Sequence, residues 1–205
     1  LHSTGGQEVT IIDGEGTRRV ILCESDETST ALAENTALRG STFEELVDGV
    51  SEVGIGWSSG PVYPEDNGWA PIVGGDEDSR CPSIVAMARE FGSGRVIAGG
   101  ALYGGGNIEE YDQYDNHRLD ENALVWLTAG NGTQVAYTTG HGEWNTSATN
   151  LAAVADSIGI DMNPLYAPIT LDSLQPFNAL VVSTAWGSIS QDEIDAIETW
   201  VNSGG

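Results

Sequence analysis

From Leu119 onward the chain alternates two kinds of segment at short, regular intervals, and glycine stands at most of the changeovers. "LDENALVWLTAG" carries Leu119, Ala123, Val125, Trp126 and Leu127 on one side of a helix. "TQVAYTTG" is an apolar strand run, and "SATNLAAVADSIGI" returns to helical spacing. "NALVVSTAWG" is again a strand. "SQDEIDAIETWVNSGG" is a helix with Ser190 and Glu193 in capping-box register, Ile194, Ile197 and Trp200 or Val201 facing inward, and Gly204 at its end. Strands that alternate with helices of this length cannot be joined by hairpins. They call for crossover connections and a parallel sheet with helices packed on it. The expected class is therefore α/β, with a doubly wound, mainly parallel, Rossmann-like sheet in the second half.

The first half is more irregular. "EVTII" and "RRVILCES" read as short strands around a "DGEGT" turn. "STFEELVDGVSEVG" predicts a helix, with Ser41 and Glu44, or Thr42 and Glu45, as a capping box and Phe43, Leu46, Val47 and Val50 on one face. "SIVAMAREFGSG" predicts another, capped by Ser83 and stopped by Gly92, and "RVIAGG" a buried strand. Between Gly54 and Pro82 the Gly/Pro/Asp-rich stretch reads as loop with short strands. The expected organisation is a domain over 1–130 with long loops and the start of a second α/β module over 131–205. Only two clear strands follow Gly130, fewer than an open sheet normally has, so that module is expected to continue in a longer protein.

Charge decides which partners are excluded. Against 31 acidic residues stand 7 basic ones, all of them arginine, for a net charge of −24. Nucleic-acid binding draws on Lys and Arg releasing phosphate counterions, so this chain is not expected to bind it. At molar salt the Debye length falls to ~3 Å and the self-repulsion is screened. The composition therefore points to a high-salt setting. It fits a protein at the cell surface or outside the cell, or alternatively the cytoplasm of a halophile that accumulates salt. No window approaches the ~20 apolar residues of a membrane span, so membrane insertion is not expected. Sequons at Asn131 and Asn145 would permit glycosylation after export. Cys23 and Cys81 match no zinc spacing, and a disulfide between them stands level with a buried free thiol at Cys23.

The segments "STFEELVDGVSEVGI", "AMAREFGSGRVIAGGALYGGG", "DNHRLDENALVWL", "LAAVADSIGI" and "IDAIETWVNSGG", in that order, resemble the amino-terminal region of the TRP-channel-associated factors and the enhancin-type, mucin-degrading metallopeptidases. The resemblance spans roughly residues 42–205 and rests on fold-building glycines and apolar residues. It implies a module similar to class I glutamine amidotransferases. It also implies that the chemistry lies elsewhere. The peptidases of this group use a HExxH zinc helix, and none of His2, His117 and His141 begins that motif. An amidotransferase needs a cysteine on a strand-to-helix elbow, and neither Cys23 nor Cys81 has one around it.

Three places could still carry function. The first is "TTGHGEWN", at the carboxyl end of a strand, where ligands bind in open α/β sheets. Thr138, Thr139, His141 and Glu143 could line a crevice there, with His141 and Glu143 as the catalytic candidates. A histidine without a second base or nucleophile is not a catalytic set. The turn accordingly reads first as a connection bent by Gly140 and Gly142, with His141 solvated and Trp144 packed over the sheet edge. The second is the acidic run "GGGNIEEYDQYDNHRLDEN", where Asp112, Asp115, Asn116 and Asp120 offer oxygen ligands of the kind calcium takes. Its spacing fits no EF-hand, and His117 with Glu121 lack a third zinc ligand. The third is the aromatic set around Trp57 and Trp69, which could stack on sugar rings. The leading expectation is a non-catalytic interaction or scaffold module, without a cofactor, binding protein or glycan. The alternatives are a hydrolase using the His141 turn or residues beyond Gly205, and a carbohydrate- or calcium-binding adhesion module.

Overall fold

The computed structural model describes residues 7–12, 18–23, 32–34, 43–54, 62, 68–74, 84–99, 114–143, 149–183 and 185–205. Among them, all strand pairing before residue 100 is antiparallel. Strand β1 (Gln7–Ile12) pairs with β2 (Arg18–Cys23), and β3 (Leu32–Glu34) with β4 (Glu52–Gly54). Strands β5 (Ala70–Gly74), β6 (Ile84–Phe91) and β7 (Gly94–Gly99) form a three-stranded sheet with β6 in the middle. After helix α1 (Asn116–Leu127) the pairing becomes parallel: β8 (Gln134–Thr139) lies between β9 (Asp161–Tyr166) and β10 (Ala179–Val181). The protein is mixed α/β, and its parallel sheet is confined to these three strands among the described residues.

Two expected helices are not helices. The segment read as a helix from Ser83 to Gly92 is strand β6, which turns directly into β7. Phe91 pairs with Gly94 across a two-residue loop, and only the first loop residue, Gly92, has positive φ, at +61°. That is the type II′ pattern, whose twist matches the strands it joins. A short run of alanines and mixed polar residues fits either period. Pairing on both edges of β6 settles it, with Ala86 and Ala88 turned into the core. Strand β7 is half-buried rather than buried, because it sits at the sheet edge. The second expected helix, around Phe43 to Val50, shrinks to a 3-10 turn at Glu44–Leu46, and the chain bends at Gly49 into β4. Ser41 and Thr42, its expected caps, lie outside the described residues. Phe43, Leu46 and Val50 are buried as their apolar character requires, so burial was legible where the backbone was not.

Helix α1 serves both sheets. Its Leu119 and Trp126 join the antiparallel core with Phe43, Leu46, Val53 and Val73, and the Trp126 ring meets Phe43 edge-on at 5.3 Å. Arg95 of β7 lies over the same indole, and its guanidinium donates to the Trp126 carbonyl at 2.5 Å. Asn122 donates to the carbonyls of Leu46 and Asp48, fixing the 3-10 turn on the helix. One turn away, Leu124 faces Val135, Val154 and Ala179 of the parallel part. Val125, expected on the apolar side, is exposed.

Helices cover both faces of the parallel sheet. Val135 and Ala179 point to α1 and α2 (Thr149–Ser157), while Ala136 and Leu165 point to α3 (Leu171–Leu174) and α4 (Gln191–Asn202), where Leu174 and Trp200 cover them. Alternate residues of one strand thus feed two cores. At the far end of α4 the Asn202 carbonyl accepts from the Ser93 N–H of the β6–β7 hairpin at 3.0 Å. Strand β9 was not visible in the sequence, because "DMNPLY" carries Asp, Asn and Pro in six residues. Proline is tolerated there because β9 is an edge strand of this sheet.

Candidate functional site

The three parallel strands end close together, and the connections from β8 to β9 and from β9 to β10 run in opposite directions across the sheet. The chain pairs β9 on one side of β8, then returns to pair β10 on the other. Such a reversal splays the following loops apart and is where open α/β sheets bind ligands. Here the splayed loops are tied together instead. The loop after β8 turns at Gly140 and Gly142, both with positive φ, +112° and +72°. It meets the loop after β10 through a bridge between Glu143 and Ala185, and the Gly187 N–H donates to the His141 carbonyl at 2.6 Å. On the other side the Ala167 N–H, just past β9, donates to the Thr139 carbonyl at 3.0 Å.

At the centre of this knot lies His141. Its ring is buried, contrary to the expected solvated position. Nδ1 lies 3.2 Å from Glu143 Oε1, and Nε2 lies 2.9 Å from Glu193 Oε1. Each carboxylate is in turn held by backbone. Glu143 Oε2 accepts from the N–H groups of Gly140 and His141, at 2.9 and 3.0 Å. Glu193 Oε1 accepts from the Ile169 N–H at 2.9 Å, and its Oε2 from the Ser190 N–H and hydroxyl at 2.9 and 2.7 Å. Glu193 is thus both the capping-box residue expected for α4 and a buried partner of His141.

The electrostatics follow from these contacts. Burial alone would lower the His141 pKa, but the hydrogen bonds and charges of Glu143 and Glu193 outweigh it and raise the pKa above its ordinary 6.5. Burial would raise the Glu143 pKa. Backbone N–H donors and the imidazole prevail and lower it. The N–H groups of Ile169 and Ser190 hold Glu193 down at about 2. The state that satisfies every group is an imidazolium donating from both nitrogens to two carboxylates. Such a histidine has no lone pair with which to take a proton, so in this state it is no general base. What the cluster does is mechanical: it joins the loops after all three parallel strands to the first turn of α4.

The other ligand candidates stand apart from a crevice. Thr138 is fully buried on the face of β8 that looks toward α4, and its hydroxyl has no hydrogen-bond partner among the described residues. Thr139 is half-buried. Trp69 is half-buried and lies 5.2 Å from the Arg89 guanidinium, which also stacks on Phe91 at 5.5 Å. Trp57 and Trp144 lie outside the described residues. Of the calcium candidates, Asp112 also lies outside them. Asn116 and Asp120 are buried in α1, and Asp115 accepts from the Ser51 N–H at 2.7 Å, which ties the helix start to β4. No group of three or more His, Cys, Asp or Glu among the described residues is placed to hold a metal ion. His117 is exposed, and Glu121 pairs with Arg118 at 3.1 Å. Cys81 and the Cys23 side chain, expected as a disulfide or a buried thiol, lie outside the described residues.

Sequence reasoning found His141 and Glu143 but missed Glu193 and Ile169 as their partners. The capping register of Ser190 and Glu193 was visible, yet nothing in one sequence says that a cap also closes on a histidine 52 residues away. The chain matches no family model, no curated protein and no solved structure.

Proposed function

We propose that this chain is a non-catalytic α/β module serving interaction or scaffolding in a larger acidic protein, at the cell surface or outside the cell and in high salt. The observation that carries the reading is the double engagement of His141. Of the two catalytic candidates, His141 spends both ring nitrogens on buried carboxylates, one of them Glu143, the other candidate. A reaction would require breaking the contacts that hold the strand ends together. The finer fold proposal is a doubly wound, amidotransferase-like module, akin to the resemblance drawn from the sequence. It is supported by the strand order β9–β8–β10 and by helices packed on both faces. Among the described residues no helix is long and apolar enough to cross a membrane.

The test is a panel of chromogenic amide, ester, peptide and glycoside substrates at high protein concentration. The expected result is no turnover above background. Turnover abolished by His141→Gln or Glu143→Gln, with the circular dichroism spectrum retained, would overturn the reading in favour of a hydrolase.

A further inference from the structure

Six large apolar side chains are exposed among the described residues, and five of them sit at one end of the molecule. Tyr166 closes β9, Leu171 opens α3, Val182 follows β10, Trp186 lies in the next loop, and Ile194 is in the first turn of α4. All five therefore belong to the carboxyl-end loops and helix starts that the His141 cluster ties together. Trp186 is 77% exposed and Tyr166 69%, which is far from the burial such residues normally reach. Gly142 brings the β8 loop against the base of the Trp186 side chain, where a Cβ added at Gly142 would lie 3.6 Å from the Trp186 Cβ. Scattered exposed apolar residues need no explanation, but a concentration at one functional end of a sheet does.

The exposed charge around this end is acidic among the described residues 119–205. Asp172 lies in the first turn of α3, with Asp192 and Asp195 in the first two turns of α4, and all three are exposed. No Lys or Arg follows Arg118 anywhere in the chain, and His141, the one imidazole of residues 119–205, is buried between two carboxylates, so this part offers no exposed positive side chain of its own. A second copy presenting the same end would bring carboxylates against carboxylates, since a two-fold contact matches a surface with itself. A neutral sugar would stack on Trp186 and Tyr166 but would gain little from Leu171, Val182 and Ile194. A polypeptide segment that alternates apolar and basic side chains satisfies everything present. Its apolar residues cover the aliphatic side chains, and its cations meet both the carboxylates and the faces of the indole and phenol.

We propose that the carboxyl end of the parallel sheet is a docking surface for a cationic, amphipathic segment of another polypeptide, gripped by Trp186 and Tyr166 and oriented by Asp172, Asp192 and Asp195. This rests on the interaction-module reading and names its partner class. The His141 cluster is the rigid floor beneath it: it fixes three loops whose side chains would otherwise lose freedom on binding.

Calorimetric titration of the whole chain with a short peptide alternating Arg and Leu tests the proposal, beside a peptide with Glu in place of Arg and a neutral cello-oligosaccharide. The Arg/Leu peptide is expected to bind and the other two are not. Trp186→Ser and Tyr166→Ser, each at an exposed position, are expected to weaken binding roughly tenfold. Replacing Asp172, Asp192 and Asp195 together by Asn should weaken it too and flatten its salt dependence. Binding unchanged in both aromatic variants, binding of the oligosaccharide instead, or self-association of the chain that Trp186→Ser abolishes would each overturn the assignment. Mass analysis of the recovered peptide separates the two levels. An intact peptide that does not bind removes the partner and leaves the module reading standing. A peptide that binds and is cleaved keeps the site and removes the non-catalytic reading.

Discussion

The antiparallel and parallel parts of this protein fix their loops by opposite means. Around β5, β6 and β7 the chain is pinned by apolar side chains on one helix: Phe43 against Trp126, with Leu46, Val53 and Val73 completing the contact. The polar ties there, from Asn122 and Arg118 to the carbonyls near Asp48, lie mostly at the surface. At the carboxyl ends of β8, β9 and β10 the corresponding work is done by a buried charge cluster, in which two carboxylates accept from four backbone N–H groups and share one imidazole between them. Apolar contacts are non-directional and tolerate shape changes. Paired charges are directional, and their partners cannot be removed singly without stranding a buried ion. The parallel end gains definition at little net stability, and through His141, Glu143 and Glu193 it becomes sensitive to pH.

The largest expected effect is at Glu193. Replacing it by Ala strands the imidazolium, leaves the Ile169 N–H without its acceptor and opens the cap of α4. Breaking a buried ion pair from one side costs about 3–5 kcal/mol, and urea unfolding of the variant should show a loss of that size. A loss within about 1 kcal/mol, the ordinary range for an exposed ion pair, would mean that the cluster is not the fastening described. The antiparallel counterpart is Leu46→Ala, which leaves a cavity beneath Trp126 and is expected to cost about 3 kcal/mol. The comparison sharpens if this second loss is the same at acidic and alkaline pH while the first is not.

Legibility in the sequence followed the same division. In residues 119–205 the helices α1, α2 and α4 and the strands β8 and β10 were readable, because each carries an unbroken period and a cap or a glycine stop. Ile194 was expected inward and is exposed, since Ile197 and Trp200 set the buried face of α4 one turn further on. Strand β9 and helix α3 were missed. The first has a proline-bearing edge sequence, and the second is four residues long with its cap formed by Thr170 and Ser173. In the antiparallel part β1, β2 and β7 were readable as strands, whereas around Phe43 to Val50 burial was readable but backbone type was not, and β6 was read as a helix. The eight residues of β6 fit both a helical and a strand period until partners on both sides decide. At the site, local sequence revealed the turn at Gly140 and Gly142, but the decisive contacts to Glu193 and Ile169 are long-range.

The smallest effect is also the most specific. His141 has a raised pKa in the folded protein, so its contribution is fully present below 6.5 and fades as pH rises through the folded value. Glu143 and Glu193 have lowered values, so theirs is present above 4.5 and fades on acidification, for Glu193 toward about 2. The cluster is therefore complete between 4.5 and 6.5. Above that window one proton leaves on unlocking, which limits the slope of stability against pH to about 1.4 kcal/mol per unit. With 31 acidic residues the chain as a whole also responds to pH, so the informative quantity is the difference between wild type and His141→Gln, measured in molar salt to screen distant charges. That difference should shrink steadily from pH 6 to pH 9. A difference that stays level across this range would show that His141 is neutral in the folded protein. The two carboxylates would then be held by their backbone donors alone.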